Sequence, residues 1–449
     1  MFDDKDDKKL LRILLDSDSL KSESAKRLLN YSDNEFFEFV SIGKSAKHTE
    51  ADLSFSSEKD VNEIVVDKSK DRLRGYKEHL GFFYKISDIQ MFSKSLDIKY
   101  DDLILTYILE TFADANKRKT ILVTERKKLL NRLNWQKNGF PKLSANSVLG
   151  PDEAIIFIDL YCKDKNKFLI APNFYANRGR WYLYSLKTKL TNYQSVWSTV
   201  VFGGKRLEEL TDITASLGDR ITDMLVAIDE IGKNYYNGVN NDTRDAIIYH
   251  FNYWITLFTG VFDSLAWISK YRYQIKFDKF ERIGLRKNWQ KDFTNFLFKK
   301  NDKIKTFLDK NFSVVNLMYD PRDLIMHRAR LRGVRFNNEN ENFYFNMVRI
   351  PEEFFNRIVA LSRERGNMLE KWGHYKSHGE YFLEPYRFIK KATPELINFV
   401  NEFLGLLDFD EYKRTIPELK KKIKDDYKSD SHKRFLQDLN NFDKYRLGY

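Results

Sequence analysis

From Thr243 onward the apolar residues Ile247, Phe251, Trp254, Phe258, Val261, Leu265 and Ile268 step alternately by four and three. That spacing puts all of them on one stripe of an α-helix, the seam of a helix packed against others, so this part of the chain is committed to a helical bundle. The preceding stretch, RLEELTDITASLGDRITDMLVAIDEIG, reads as another long helix. Further helices are expected over about 287–300, 302–317, 321–330, 351–372 and 391–406, with a charged tail helix in PELKKKIKDDYKSDSHKRF. Within them, VRFNNENENFYFNMVRI alternates apolar and polar residues around an Asn/Glu-rich loop, which predicts a β-hairpin inserted in the bundle. Only 8 prolines and 19 glycines punctuate 449 residues, as suits a largely helical chain.

Upstream the texture changes. EIVV, GFFYKI, TILVT, AIIFIDLYC, KFLIAPNF and WYLYSL are short β-branched or aromatic runs separated by turn residues. Between them DDLILTYILETFADANKRK reads as a helix, because Leu103, Tyr107, Glu110 and Asp114 recur at helical spacing. Residues 61–203 are therefore expected to form a mixed α/β regulatory or sensing domain, ending at a linker, Phe202-Gly203-Gly204. The bundle would occupy 204–449. Residues 1–60 read as a polar helical arm with Leu10, Leu11, Ile13 and Leu14 on one short face, closed by the loop SFSSEKD. The fold class this predicts is α+β.

Apolar residues make up 42% of the chain, enough for folded domains. Lysine and arginine outnumber the acids by 77 to 65, and the resulting +12 favours a polyanionic partner such as RNA or DNA. One cysteine, Cys162, excludes an internal disulfide and a thiolate zinc site, and fits a reducing cytosol. No window approaches the ~18 uninterrupted apolar residues of a membrane span, so a soluble, cytoplasmic protein is expected.

The most informative short stretch is PRDLIMHRARLRG. Pro321 suits a first helical turn, and Arg322 is followed by Asp323 and, after four intervening residues, by His327. A histidine side chain titrates near neutral pH and can move the 2′-hydroxyl proton of RNA; a permanently charged guanidinium stabilises the doubly negative phosphorane. Arg328, Arg330, Arg332 and Arg335 follow directly, where they could hold phosphates. This pattern resembles the HEPN superfamily, helical-bundle proteins whose signature is Arg, often a polar residue, then His after four to six intervening positions. Arg322, Asp323 and His327 match those positions in order.

The resemblance implies a metal-independent ribonuclease site where two bundles meet, working as a homodimer and leaving 2′,3′-cyclic phosphate ends. It implies no cofactor and no metal, and it implies a toxin or antiphage effector, with an antitoxin or a phage-derived trigger as further partners. Some family members carry an acid on an earlier helix that orients the motif arginine, and Asp263 in GVFDSLAW is the matching acid here. Arg244 and His250, with five residues between them and Asp245 following the arginine, form a second match, at the start of an early bundle helix.

Other constellations remain open. Asp101, Asp102, Glu110, Asp114, Glu125, Asp152, Glu153 and Asp159 could bind Mg²⁺ near strand ends, and TILVTERKKLL resembles the strand and helix of a PIN-type nuclease. His374 and His378 are four apart but bracketed by Gly373 and Gly379, so a loop is expected. NFYANRGRWYLYS could stack bases, or form a strand pair filling a core. The leading expectation is a HEPN-type endoribonuclease acting on RNA, transfer RNA included. The alternatives are a non-catalytic RNA-binding or dimerisation module, and a metal-dependent nuclease in the α/β domain.

Overall fold

LRILLD, Leu11–Asp16, is the first strand (β1), and every residue of it is buried. In the computed structural model, which describes residues 11–42, 53–56, 65–66, 105, 109, 119–130, 147–172, 174–237, 240–286, 290–327, 331–337, 344–366 and 369–444, β1 is flanked on both sides. It pairs in parallel with β2 (Phe37–Ile42) and β5 (Lys119–Val123). β3 (Leu53–Ser56) and the antiparallel β4 (Val65–Val66) extend one edge, and β6 (Val148–Leu149) the other, giving the order β4-β3-β2-β1-β5-β6. A central parallel strand is covered on both faces and so reads as a continuous apolar run. That is why the expectation of a helical arm over 1–60 is overturned. Arg12, within the strand, meets its register partner Glu38 at 2.9 Å.

Two apolar runs expected as strands are helices. AIIFIDLYC lies in α3 (Pro151–Asp164), which starts at Gly150-Pro151 and is buried on most of its circumference; α1 (Glu23–Leu29) and α2 (Lys127–Leu130) precede it. WYLYSL lies in α4 (Arg178–Lys189), where Asn177 caps the first turn by accepting from the Arg180 amide. Its buried residues include Trp181, Tyr182, Ser185 and Leu186, a helical spacing. KFLIAPNF is a short strand pair, β7 (Phe168–Ala171) and β8 (Phe174–Ala176). GFFYKI lies outside the described residues; of the helix expected in DDLILTYILETFADANKRK, Leu105 and Leu109 are described as helical and buried, and its last residue, Lys119, opens β5.

The chain divides into two compact units, one within Met1–Tyr175 and one comprising Ala176–Phe336 and Tyr344–Lys444. The expected linker at 202–204 is instead the end of α5 (Thr191–Gly203), followed by a 3-10 turn with Gly204 at φ 58°. The second unit is mostly helical. Its long helices are α6 (Glu208–Tyr236) and α7 (Asn241–Arg272), the latter opened by a capping box between Asn240 and Thr243. The predicted seam is the core: Phe251, Trp254, Phe258, Val261, Leu265 and Ile268 have no exposed surface.

After α7 come α8 (Lys291–Lys300), α9 (Asp302–Lys310), α10 (Phe312–Asn316), α11 (Tyr319–His327) and α12 (Glu352–Glu364). The expected helix over 302–317 is broken at Asn311, and that over 351–372 ends at Glu364. α13 (Pro385–Leu406) packs Phe388 against Trp254 and Phe399 against Phe262. α14 (Asp410–Thr415), α15 (Pro417–Lys428) and α16 (Asp430–Lys444) complete the unit. The predicted hairpin is β9 (Gly333–Asn337) and β10 (Tyr344–Ile350), joined by β11 (His374–Ser377) and β12 (Glu380–Leu383) into one four-stranded sheet. The molecule is α+β: a parallel-sheet α/β region, then a helical region with a small sheet. None of its described helices is long and apolar enough to cross a membrane.

Candidate active site

α11 begins on Tyr319-Asp320-Pro321, where a residue without an amide hydrogen costs nothing in the first turn. Arg322 follows in that turn, with its amide donating to the Met318 carbonyl at 3.0 Å, and His327 is the last residue of the helix. Asp263 comes from the middle of α7. Asp263, Arg322, Asp323 and His327 all line one cavity of about 780 Å³. Residues far apart in the chain thus meet at one site, which a motif alone does not require.

Charges in that cavity are chained. Arg322 Nη1 donates to Asp323 Oδ1 at 3.0 Å, and the other Asp323 oxygen accepts from Arg286 Nη1 at 3.4 Å. Arg286 also lies 3.7 Å from Asp320, whose second oxygen is held by Arg357 at 2.5 Å. Two guanidinium groups, Arg286 and Arg322, thus stand in the cavity wall among five acids, Asp263, Glu281, Asp320, Asp323 and Glu353, so their charge is largely offset and a phosphate would have to compete with those carboxylates for it. The Arg286 guanidinium is also 4.9 Å from the centre of the Tyr319 ring.

Burial pushes the Asp263 carboxyl up to about 6, against the opposing pull of Arg322 and Arg220. Gly260, three residues before Asp263, leaves room for the Arg220 side chain: a Cβ there would lie 2.2 Å from Nη1. Tyr319 is buried, and its hydroxyl has no hydrogen-bond partner among the described residues. Burial, then the neighbouring Asp263, drive its pKa well above the usual value.

Of the arginines after the motif, Arg328 and Arg330 lie outside the described residues. Arg332 is exposed, its carbonyl accepts from the Arg349 amide, and it does not line the cavity; Arg335 lies in β9. Sequence reasoning missed Arg286, Tyr319, Asp320 and Arg357. Asp320, directly before Pro321, had a local signal; the others did not.

The second Arg/His match is not gathered in the same way. Arg244 pairs with Asp245 at 3.1 Å and packs where Gly333 makes room for it. His250 faces α6, and burial, ahead of the effects of Glu230 and Lys233, lowers its pKa.

In the first unit the C-terminal ends of β1 and β5 lie side by side, at the point where strand order reverses. There Asp16, which sequence reasoning passed over, is fully buried and accepts from Arg126 Nε at 2.7 Å and from Thr124 Oγ1 at 2.6 Å. Glu125 accepts from the Lys21 and Ser22 amides at 3.1 Å. Asp152 pairs with Arg27 at 3.1 Å, Asp159 pairs with Lys163 at 2.6 Å, and Glu153 sits in the first turn of α3. Asp101, Asp102, Glu110 and Asp114 lie outside the described residues. Among the described residues no three His, Cys, Asp or Glu side chains are grouped as metal ligands. His374 is in β11 and His378 in the turn after it, with φ 48°, so the pair does not share a helix face.

Compared with protein-family models, curated proteins and solved structures, the chain matches none.

Proposed function

We propose that the protein is a metal-independent endoribonuclease of HEPN type. The observation that carries this reading is the convergence of Arg322, Asp323, His327 and the earlier acid Asp263 on one cavity. In this reading the ribose 2′-hydroxyl attacks the adjacent phosphorus and gives its proton to an imidazole. The bond from phosphorus to the 5′ oxygen breaks, that oxygen takes up a proton, and the products carry a 2′,3′-cyclic phosphate and a 5′-hydroxyl. Arg322 stabilises the negative charge of the phosphorane. Asp323 holds Arg322 and, through its second oxygen, ties it to Arg286.

Each chain supplies one such His327, and the acid and base steps need a proton acceptor and a proton donor. A homodimer that brings two copies of the cavity together meets both needs. Single-stranded or transfer RNA is the substrate class, and the +12 charge favours it. The α/β unit would sense an antitoxin or a phage-derived trigger, making the whole an antiphage or toxin effector in the cytoplasm. A metal-dependent nuclease in the α/β unit and a non-catalytic RNA binder are the readings this one competes with.

The test is cleavage of end-labelled transfer RNA and a mixed-sequence RNA in EDTA by wild type, Arg322→Ala and His327→Ala. Each substitution should lower the rate by about 10²–10⁴-fold. Growth arrest on over-expression, lost in both variants, reads out the same activity if a trigger is required. Cutting that needs Mg²⁺ and survives both substitutions would sink the proposal.

A further inference from the structure

The motif cavity has an aromatic wall. Trp267 from α7 and Phe280 from the 3-10 turn at Phe280–Arg282 both line it, beside Arg322 and His327. Their rings are stacked, with centroids 5.9 Å apart and planes at 16°. Phe280 is nonetheless 60% exposed, although Phe277 and Ile283 on either side of it are buried. The turn is anchored by its neighbours and leaves the phenyl side chain largely in solvent. Lys270, one helical turn beyond Trp267, holds its ammonium 4.9 Å from the Trp267 ring and 5.2 Å from the rings of Tyr271 and Phe280. Lys270 has no carboxylate partner among the described residues, so its charge is available to a phosphate.

We infer that Trp267, Phe280 and Lys270 form a stacking platform for the base of a nucleotide flanking the scissile phosphate. Every base has an aromatic face, so stacking on Phe280 holds single-stranded RNA with little sequence preference, and the lysine takes the adjoining phosphate. This deepens the ribonuclease reading by assigning the step that positions the strand. An exposed aromatic pair could instead meet a second copy of this chain. The position of the pair in the same wall as Arg322 and His327 favours RNA, and so does the lysine held over it, since lysine is depleted in protein–protein interfaces.

The platform is tested by binding rather than cleavage, in EDTA and on the His327→Ala background. The probe is a short, fluorescently labelled, mixed-sequence single-stranded RNA followed by anisotropy. Adding Phe280→Ala should weaken binding about 5- to 150-fold, and Phe280→Trp in its place should restore it. Lys270→Gln should reduce the slope of log affinity against log salt by about 1. Sedimentation should show the same oligomeric state for all variants.

Unchanged affinity in Phe280→Ala, or no RNA binding by the His327→Ala reference at low salt, overturns the inference. So does a loss of affinity matched by dissociation of the oligomer, which would assign the platform to a second copy of the chain. If His327→Ala still cuts RNA while Phe280→Ala weakens binding, the catalytic reading has failed and the platform stands.

Discussion

Asp263 is the residue where stability and the proposed chemistry pull apart. Its carboxyl titrates at about 6 when folded against an ordinary 3.8, so the folded chain binds that proton more tightly than the unfolded one. Stability contributed by this group is therefore fully present below the lower value and is lost as pH rises through the upper one. Asp263→Asn should make the protein more stable than wild type by about 1–3 kcal/mol at neutral pH, with the gap closing toward about pH 4. Chemical denaturation of both proteins across that range checks it, and a gap independent of pH would contradict it. In the proposed reading the same variant should cleave RNA more slowly, because Arg322 loses the acid that orients it. At this scale Arg322, Asp323 and His327 were legible because their relation is local, six consecutive residues in one helical turn and a half. Arg286, 37 residues before Asp323, had no such signal, since only the packing of α8 to α11 around the cavity brings it there.

Among the elements, α6 shows how a close approach constrains a helix. Gly218 lies inside it, and a Cβ at that position would sit 2.3 Å from the Tyr193 hydroxyl, which donates to the Thr214 carbonyl at 3.0 Å. Alanine in place of a helical glycine ordinarily gains about 1 kcal/mol, but here it displaces a rigid ring and breaks that hydrogen bond. Gly218→Ala is expected to destabilise by about 1–3 kcal/mol, and by clearly less on a Tyr193→Phe background. Strictly additive effects in urea unfolding would rule out this contact as the cause. In the seam, Phe258→Ala removes a side chain with no exposed surface and should cost about 3–5 kcal/mol in the same measurement.

The long helices were readable because a 4-3 repeat sustained across α7 has no other solution. Short apolar runs were not: LRILLD is buried as a central strand, while AIIFIDLYC and WYLYSL are buried as helices. LRILLD and AIIFIDLYC are covered on most sides, so neither period survives in them, and WYLYSL is too short to distinguish a helical spacing from a strand. Neighbours then decide, as Gly150-Pro151 and the Asn177 cap do here.

Over the whole molecule, two compact units with different architectures share one basic chain, and the site the account proposes lies in the second of them. The two nuclease readings assign the chemistry to different units and leave different ends on the RNA. A Mg²⁺-dependent nuclease built on carboxylates uses water as the nucleophile and does not need the 2′-hydroxyl. A site of arginine and histidine uses the 2′-hydroxyl and needs no metal. The measurement that separates them is mass spectrometry of the RNA fragments produced in EDTA by the full-length protein. Fragments ending in 2′,3′-cyclic phosphate are expected, and none from an RNA carrying 2′-O-methyl groups throughout. Fragments with 3′-hydroxyl ends that appear only with Mg²⁺, or cutting of the methylated RNA, would contradict it.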